Sequence, residues 1–139
     1  MAHCGGDFMN HIETFTISRV VVNLDEFTRT VQPRLAPQSL TSLTLNYISL
    51  DCPEADALLK QFPNLKRLDL SCNPLGPKFL PQLAKLNLEL DSLSLYNCGL
   101  GSHALEIAKK YRFVCRRVNI SFNQGVEWAL CMFKTDQLI

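Results

Sequence analysis

The sequence predicts an α/β fold built from repeated units, with parallel strands on one side and helices on the other. Three observations predict it. Apolar residues recur at an interval of 25, each unit opens with the alternating pattern of a short strand, and the half that follows carries apolar residues at helical spacing. One such unit cannot bury its apolar face alone, so we expect the units to stack into a single core.

The strand half of each unit is defined by four residue columns. The columns are Leu40, Leu65, Leu90 and Cys115; Leu43, Leu68, Leu93 and Val118; Leu45, Leu70, Leu95 and Ile120; and Ile48, Asn73, Cys98 and Asn123. Alternate residues of a strand point to the same side. Leu43 and Leu45 are therefore predicted to face the core, while their neighbours face outward.

The helical half also repeats. Its columns are Ala55, Leu80, Leu105 and Leu130, followed by Leu58, Leu83, Ala108 and Phe133. Helix starts are predicted at Pro53, Pro77 and Ser102, because proline opens a helix without losing a bond and serine caps exposed N–H groups. Pro81 falls inside one segment, which we therefore expect to be short, kinked or partly 3₁₀.

The two halves of a unit need different spacings. Neighbouring strands pack about 4.8 Å apart, whereas helices need roughly 8 to 10 Å. Stacking therefore makes the strand side the shorter arc, and the sheet is expected to line a concave face.

Two segments resemble the leucine-rich repeat family. They are LKRLDLSCNPL from Leu65 to Leu75 and LDSLSLYNCGL from Leu90 to Leu100, and they are nearer to the intracellular ribonuclease-inhibitor-like and cysteine-containing branches than to the shorter repeats. The resemblance implies a short right-handed horseshoe-shaped solenoid that has helices on the convex face and binds partners on the concave sheet. It is weaker in the last unit, where Cys115, Val118 and Gly125 replace leucine.

We expect one domain over residues 1–139. It has an irregular first unit at 12–39 and regular units at 40–64, 65–89, 90–114 and 115–139. The first unit fits the template through Ile12, Phe15, Ile17, Val20 and Val22. The last unit lacks a polar closing segment, so either its helix caps the stack poorly, or further repeats follow, or a partner covers that end.

Composition excludes several classes of protein. With 14 basic and 13 acidic residues the formal charge is +1, which gives no global attraction to nucleic acid or an anionic membrane. No window approaches the roughly 20 apolar residues that span a bilayer, and the first residues lack a signal-peptide stretch. The six cysteines lack the clustered spacing of a disulfide framework. We therefore expect an intracellular protein with free thiols and no membrane partner, in the cytoplasm rather than the nucleus.

Candidate contact residues lie at the outward strand positions. They are Thr14, Thr16, Ser18 and Arg19; Ser42, Thr44, Asn46 and Tyr47; Arg67, Asp69, Ser71 and Cys72; Ser92, Ser94, Tyr96 and Asn97; and Arg117, Asn119, Ser121 and Phe122. Most are small hydroxyl residues, which ordinary solvated strands also carry. The exceptions are the rings of Tyr47, Tyr96 and Phe122, residue types that are common in binding hot spots.

Charged residues accompany these rings at the outward positions. Arg19, Arg67 and Arg117 are expected near them, and Asp69 is the acidic candidate. Arginine is also enriched in hot spots. The sequence therefore indicates a protein-binding recognition or adaptor module that acts through the concave sheet.

Single-stranded RNA binding is the alternative. The same rings and arginines could stack on bases and contact phosphates, and the small leucine-rich repeat domains of the nuclear RNA export factor family are an architectural precedent. The near-neutral charge argues against it.

The sequence pattern indicates a structural ladder but no catalytic or metal-binding motif. Asn73, Cys98 and Asn123 occupy the column where the chain leaves the strand, and the resemblance implies that they form a structural ladder with backbone groups. No phosphate loop, HExxH or CxxC motif occurs, and His3, His11 and His103 are scattered. We expect no catalysis, no cofactor and no metal.

Overall fold

The fold is described from a computed structural model of the 139-residue chain. The structure describes residues 12–20, 23–30, 35–101, 113–124, 133–134 and 137–138. In chain order the elements are β1 (Thr14–Ser18), α1 (Leu24–Thr30), β2 (Ser42–Asn46), α2 (Cys52–Leu59), β3 (Arg67–Asp69), α3 (Phe79–Lys85), β4 (Ser92–Ser94), β5 (Phe113–Val114), β6 (Arg117–Asn119), β7 (Phe133–Lys134) and β8 (Gln137–Leu138).

The strands form an all-parallel sheet and alternate with helices from β1 to β4, which confirms the predicted α/β class. The order in the sheet is β1, β2, β3, β4, β6 and β8. Leu43 pairs with Leu68, Leu68 with Leu93, and Leu93 with Val118. The interval of 25 in the sequence is therefore the register of the sheet.

The helix starts differ in detail from those predicted. Asp51 caps α2 through a reciprocal pair of bonds, in which its carboxylate accepts from the Glu54 N–H at 2.9 Å and Glu54 Oε1 accepts from the Asp51 N–H at 3.1 Å. Pro53 follows in the first turn, as expected. Pro77 lies before α3, which begins only at Phe79, and Ser102 lies outside the described residues.

Pro81 does not interrupt a helix interior. Because α3 begins at Phe79, Pro81 falls in its first turn, where the missing N–H would have had no partner. The helix is seven residues long, so the expectation of a short segment holds without a kink being required.

The core joins the sheet to the helices. Buried side chains from the strands, such as Leu68 and Leu93, belong to the same cluster as Ala55 and Leu58 of α2 and Leu80 and Leu83 of α3. In the first unit, Phe15 pairs with Leu43 and meets the buried Phe27 of α1 edge-on, with ring centroids 6.0 Å apart. The remaining helix columns, Leu105, Ala108 and Leu130, lie outside the described residues.

The last unit departs from the prediction. Phe133, expected on a helix, lies in β7, which pairs with β5. The chain then adds β8 beside β6, where Arg117 pairs with Gln137, an interval of 20 (137 − 117) rather than 25. Two-residue strands are too short to show a period, so no sequence pattern indicates them.

No helix in the described ranges is long and apolar enough to cross a membrane.

Candidate functional site: the outer face of the sheet

The candidate site is the sheet face opposite the core, which we call the outer face. Its strand positions are solvent-accessible in full or in part from Thr14 on β1 to Asn119 on β6. Side chains on the same row of neighbouring strands lie about 4.8 Å apart. The in-register pairing thus turns residues distant in sequence into straight rows.

One row lies just beyond the carboxyl ends of the strands, and we call it the turn row. It contains Arg19, Tyr47, Cys72, Asn97 and Phe122, and its members have φ values of 62°, 55°, 61°, 51° and 58°. This left-handed conformation costs roughly 1 to 2 kcal/mol for a residue other than glycine. The same strained bend therefore recurs in five successive units.

Inter-strand hydrogen bonds hold these bends in place. The N–H groups of Arg19, Tyr47, Cys72 and Asn97 donate to carbonyls of the next strand at 2.8 to 3.2 Å. The acceptors are Asn46, Ser71, Tyr96 and Ser121. The bends are fixed features of the sheet edge, and they leave two large rings in solvent: Tyr47 is 54% exposed and Phe122 is 75% exposed.

The rings form two groups. The Arg19 guanidinium carbon lies 6.0 Å from the centre of the Tyr47 ring, in reach of a cation–π contact. The neighbouring Cys72 side chain is the main cause that raises the pKa of the Tyr47 phenol. Tyr96 packs against Phe122, with centroids 4.9 Å apart and planes tilted by 49°.

An open depression runs along this edge. It has a volume of about 470 Å³, and its lining includes Tyr47, Cys72, Asn97, Cys98 and Gly99. Asn97 was among the outward positions named from the sequence, but it was not one of the residues expected to contact a partner. Its interval of 25 from Cys72 and to Phe122 places it in the turn row.

The arginines do not lie together near the rings, and this expectation was wrong in part. Arg67 pairs with Ser92 and Ser92 with Arg117, so both arginines occupy a row at the amino ends of the strands, the arginine row. The turn row is five residues further along each strand (72 − 67), which is about 16 Å. Of the three candidates, all within the described ranges, Arg19 has the ring contact.

Asp69 is engaged by its neighbours. Its carboxylate accepts from Asn46 Nδ2 at 3.3 Å and from the Ser71 N–H at 3.0 Å. These bonds orient the outer face of β2 and β3. Asp69 therefore has a structural role beside any role in contact with a partner.

Ser71 was expected on the outer face, and its bond to the outward Ser94 places its side chain there, although it is only 8% exposed. Its hydroxyl lies 2.9 Å from the Ser94 hydroxyl and accepts from the Tyr96 N–H at 3.2 Å. The left-handed bend follows at Cys72, and the Ser71 side chain is used to position Tyr96.

Asn73 lies beneath the turn row and joins two units. It is only 2% exposed. Its Oδ1 accepts from the N–H groups of Ile48 and Leu50, both at 3.1 Å, and its Nδ2 donates to the carbonyls of Leu45 at 2.6 Å and Leu70 at 2.8 Å.

Asn123 repeats this arrangement two intervals of 25 later (123 − 73 = 50). It accepts from the N–H groups of Cys98 and Leu100 at 2.9 and 3.1 Å and donates to the Leu95 carbonyl at 2.8 Å. Between them, the Cys98 thiol donates to the Leu70 carbonyl at 3.2 Å. Asn73, Cys98 and Asn123 each form hydrogen bonds to backbone groups of the preceding unit and of their own unit.

The described thiols are free. Cys52, Cys72, Cys98 and Cys115 form no disulfide. Burial raises the pKa of Cys52 and Cys115, and it raises the pKa of Cys98 to about 11. Within the described ranges no group of three or more histidine, cysteine or acidic residues could hold a metal ion. His3, His11 and His103 lie outside these ranges.

Comparison with known proteins found no matching family model, no matching curated protein and no matching solved structure.

Proposed function

We propose that this chain is a leucine-rich repeat solenoid that binds another protein through the outer face of its sheet, as a recognition or adaptor module without catalysis. The observation that carries the proposal is the exposure of Tyr47 and Phe122 on backbone bends that would favour glycine. Burying a ring such as that of Phe122 against a partner contributes roughly 1.5 to 3 kcal/mol.

The solenoid is supported by bonds that repeat with the sequence interval. The strands of the regular units pair at 25 residues, and Asn73 and Asn123 each bond the unit before their own. Because strands pack about 4.8 Å apart and helices about 8 to 10 Å apart, such a stack curves with its sheet inward. The outer face is then concave and suited to a convex partner.

The contact residues that we propose are Arg19, Tyr47, Tyr96 and Phe122 at one end of the strands. Tyrosine supplies a large contact area with few rotatable bonds, and arginine supplies several hydrogen-bond donors. Arg67, Arg117 and Asp69 complete the face at the other end. The uncovered apolar area of Tyr47 and Phe122 is the part that water solvates least well.

The test is affinity capture from the native cell with the wild type and with the double variant Tyr47→Ala, Phe122→Ala. Both side chains are more than half exposed, so the fold should tolerate their removal. A matched control is Lys60→Ala, which removes an exposed side chain beyond the end of α2. We expect the wild type and the control to retain the same partner and the double variant to lose it. Retention of that partner by the double variant would locate binding elsewhere.

Single-stranded RNA is the second candidate, since exposed rings beside arginines also suit bases and phosphates. A gel-shift assay across a salt series separates the two. Binding that weakens steeply with salt would favour RNA, whereas the absence of a shift at low salt would exclude RNA binding.

A further inference from the structure

The arginine row contains two cations on either side of a hydroxyl. Arg67 and Arg117 are exposed and flank Ser92 in the register of β3, β4 and β6. Two strand spacings put their backbones about 10 Å apart. Arginine side chains of this separation can converge on one anionic group above Ser92, since a guanidinium binds carboxylate or phosphate oxygens in pairs.

Two of the nearby acids, Asp69 and Glu89, have other partners. Asp69 accepts from Asn46 and Ser71, and Glu89 pairs with Lys66 at 3.5 Å. Asp91 is exposed next to Ser92, and its carboxylate forms no ion pair among the described residues. Among the described residues, neither Arg67 nor Arg117 forms an ion pair. Arg67 and Arg117 therefore present two guanidinium groups that no described acid pairs with.

An apolar contact lies at a fixed distance from this charge. Tyr96 is four residues beyond Ser92 (96 − 92), which is about 13 Å along an extended chain. It packs against Phe122, whose ring is mostly exposed. In an extended peptide, residues four apart lie on the same side, so one segment can present an anion and an apolar side chain to these two points together.

We propose that the outer face binds an extended segment of a partner protein that carries an anionic side chain over Ser92, between Arg67 and Arg117, and an apolar side chain four residues away against Tyr96 and Phe122. This rests on the proposed function and adds the chemistry of the partner. A phosphorylated serine and an aspartate share the anionic oxygens that the arginines would bind.

The test uses three synthetic peptides that differ at one position, which is phosphoserine, aspartate or serine, with tryptophan four residues away and small residues between. Binding is measured by fluorescence anisotropy at moderate salt. We expect the phosphoserine or the aspartate peptide to bind about tenfold or more tightly than the serine peptide. Which of the two binds better identifies the source of the anion.

Variants test whether the arginines are responsible. Arg67→Ser with Arg117→Ser should abolish the preference for the anionic peptides, whereas Lys85→Ser, an exposed cation in the last turn of α3, should keep it. Equal binding of all three peptides, no binding of any of them, or a preference that survives the arginine double variant would overturn the proposal.

The failure of this inference can be told from a failure of the proposed function. If all three peptides bind equally but Phe122→Ala abolishes binding, the proposed binding by the rings is supported and the proposed anion site is excluded. If an oligouridine RNA binds through Arg67 and Arg117 while no peptide binds, the partner is not an acidic protein segment and the proposal is overturned.

Discussion

Removal of the Asn73 side chain should destabilise the protein far more than its size suggests. Asn73→Ala deletes four close hydrogen bonds, two accepted from Ile48 and Leu50 and two donated to Leu45 and Leu70. At about 1 kcal/mol for each bond, the free energy of unfolding should fall by about 4 kcal/mol. That is a large part of the 5 to 15 kcal/mol typical of a domain.

Two further variants calibrate this loss. Asn73→Cys introduces the side chain that the next unit uses, and the Cys98 thiol makes only donor contacts to carbonyls. We therefore expect it to recover about 1 kcal/mol of the loss. Asn64→Ala, which removes an exposed amide bonded to Gln38, should cost less than about 1 kcal/mol.

The assay is equilibrium unfolding in urea, together with hydrogen exchange of the Ile48 and Leu50 amides. In Asn73→Ala those two amides should exchange faster than their neighbours, because their acceptor is gone. A loss below about 1 kcal/mol, with both amides still protected, would refute the view that Asn73 joins the two units.

Three other predictions concern the core, the thiol and the bends. Leu68→Ala or Leu93→Ala should each lower the free energy of unfolding by about 2 to 5 kcal/mol in urea titrations, because both side chains are buried; wild-type stability would contradict their place in the core. The Cys98 thiol has a pKa of 9.0 in the unfolded chain and about 11 in the folded protein. Its contribution to the free energy of unfolding is therefore complete below pH 9 and is lost as the pH rises toward 11. Over that range the free energy of unfolding of the wild type should fall by about 2 kcal/mol more than that of Cys98→Ala. Parallel dependence of the two unfolding free energies on pH would contradict this prediction. Phe122→Gly should be about 1 kcal/mol more stable than Phe122→Ala, because φ is 58°, and equal melting temperatures would argue against strain there.

The sheet was predictable because its register and its sequence interval are the same quantity. Leu43, Leu68, Leu93 and Val118 pair side by side as their spacing requires. The place of Phe133 was not predictable, since it rests on a two-residue strand whose pairing is set by neighbours rather than by any pattern of its own.

The candidate site was only partly predictable. The outward strand residues follow from alternation, which extends along β3 to Ser71, but alternation does not reveal that neighbouring residues cover Ser71. The left-handed bends at Tyr47 and Phe122 carry no sequence signal, because neither position is a glycine or asparagine. The distance of Arg67 from the rings could have been predicted, because the interval of 25 aligns Arg67 with Ser92 and therefore places it four residues before the position of Tyr96.

The most direct test of binding through the sheet is a site-specific photocrosslink. A benzoylphenylalanine at position 122 lies on the outer face, and one at Lys85 lies on α3. We predict that the partner is crosslinked from position 122 and not from position 85. Crosslinking from position 85 alone would contradict the account and move the binding surface to the helices.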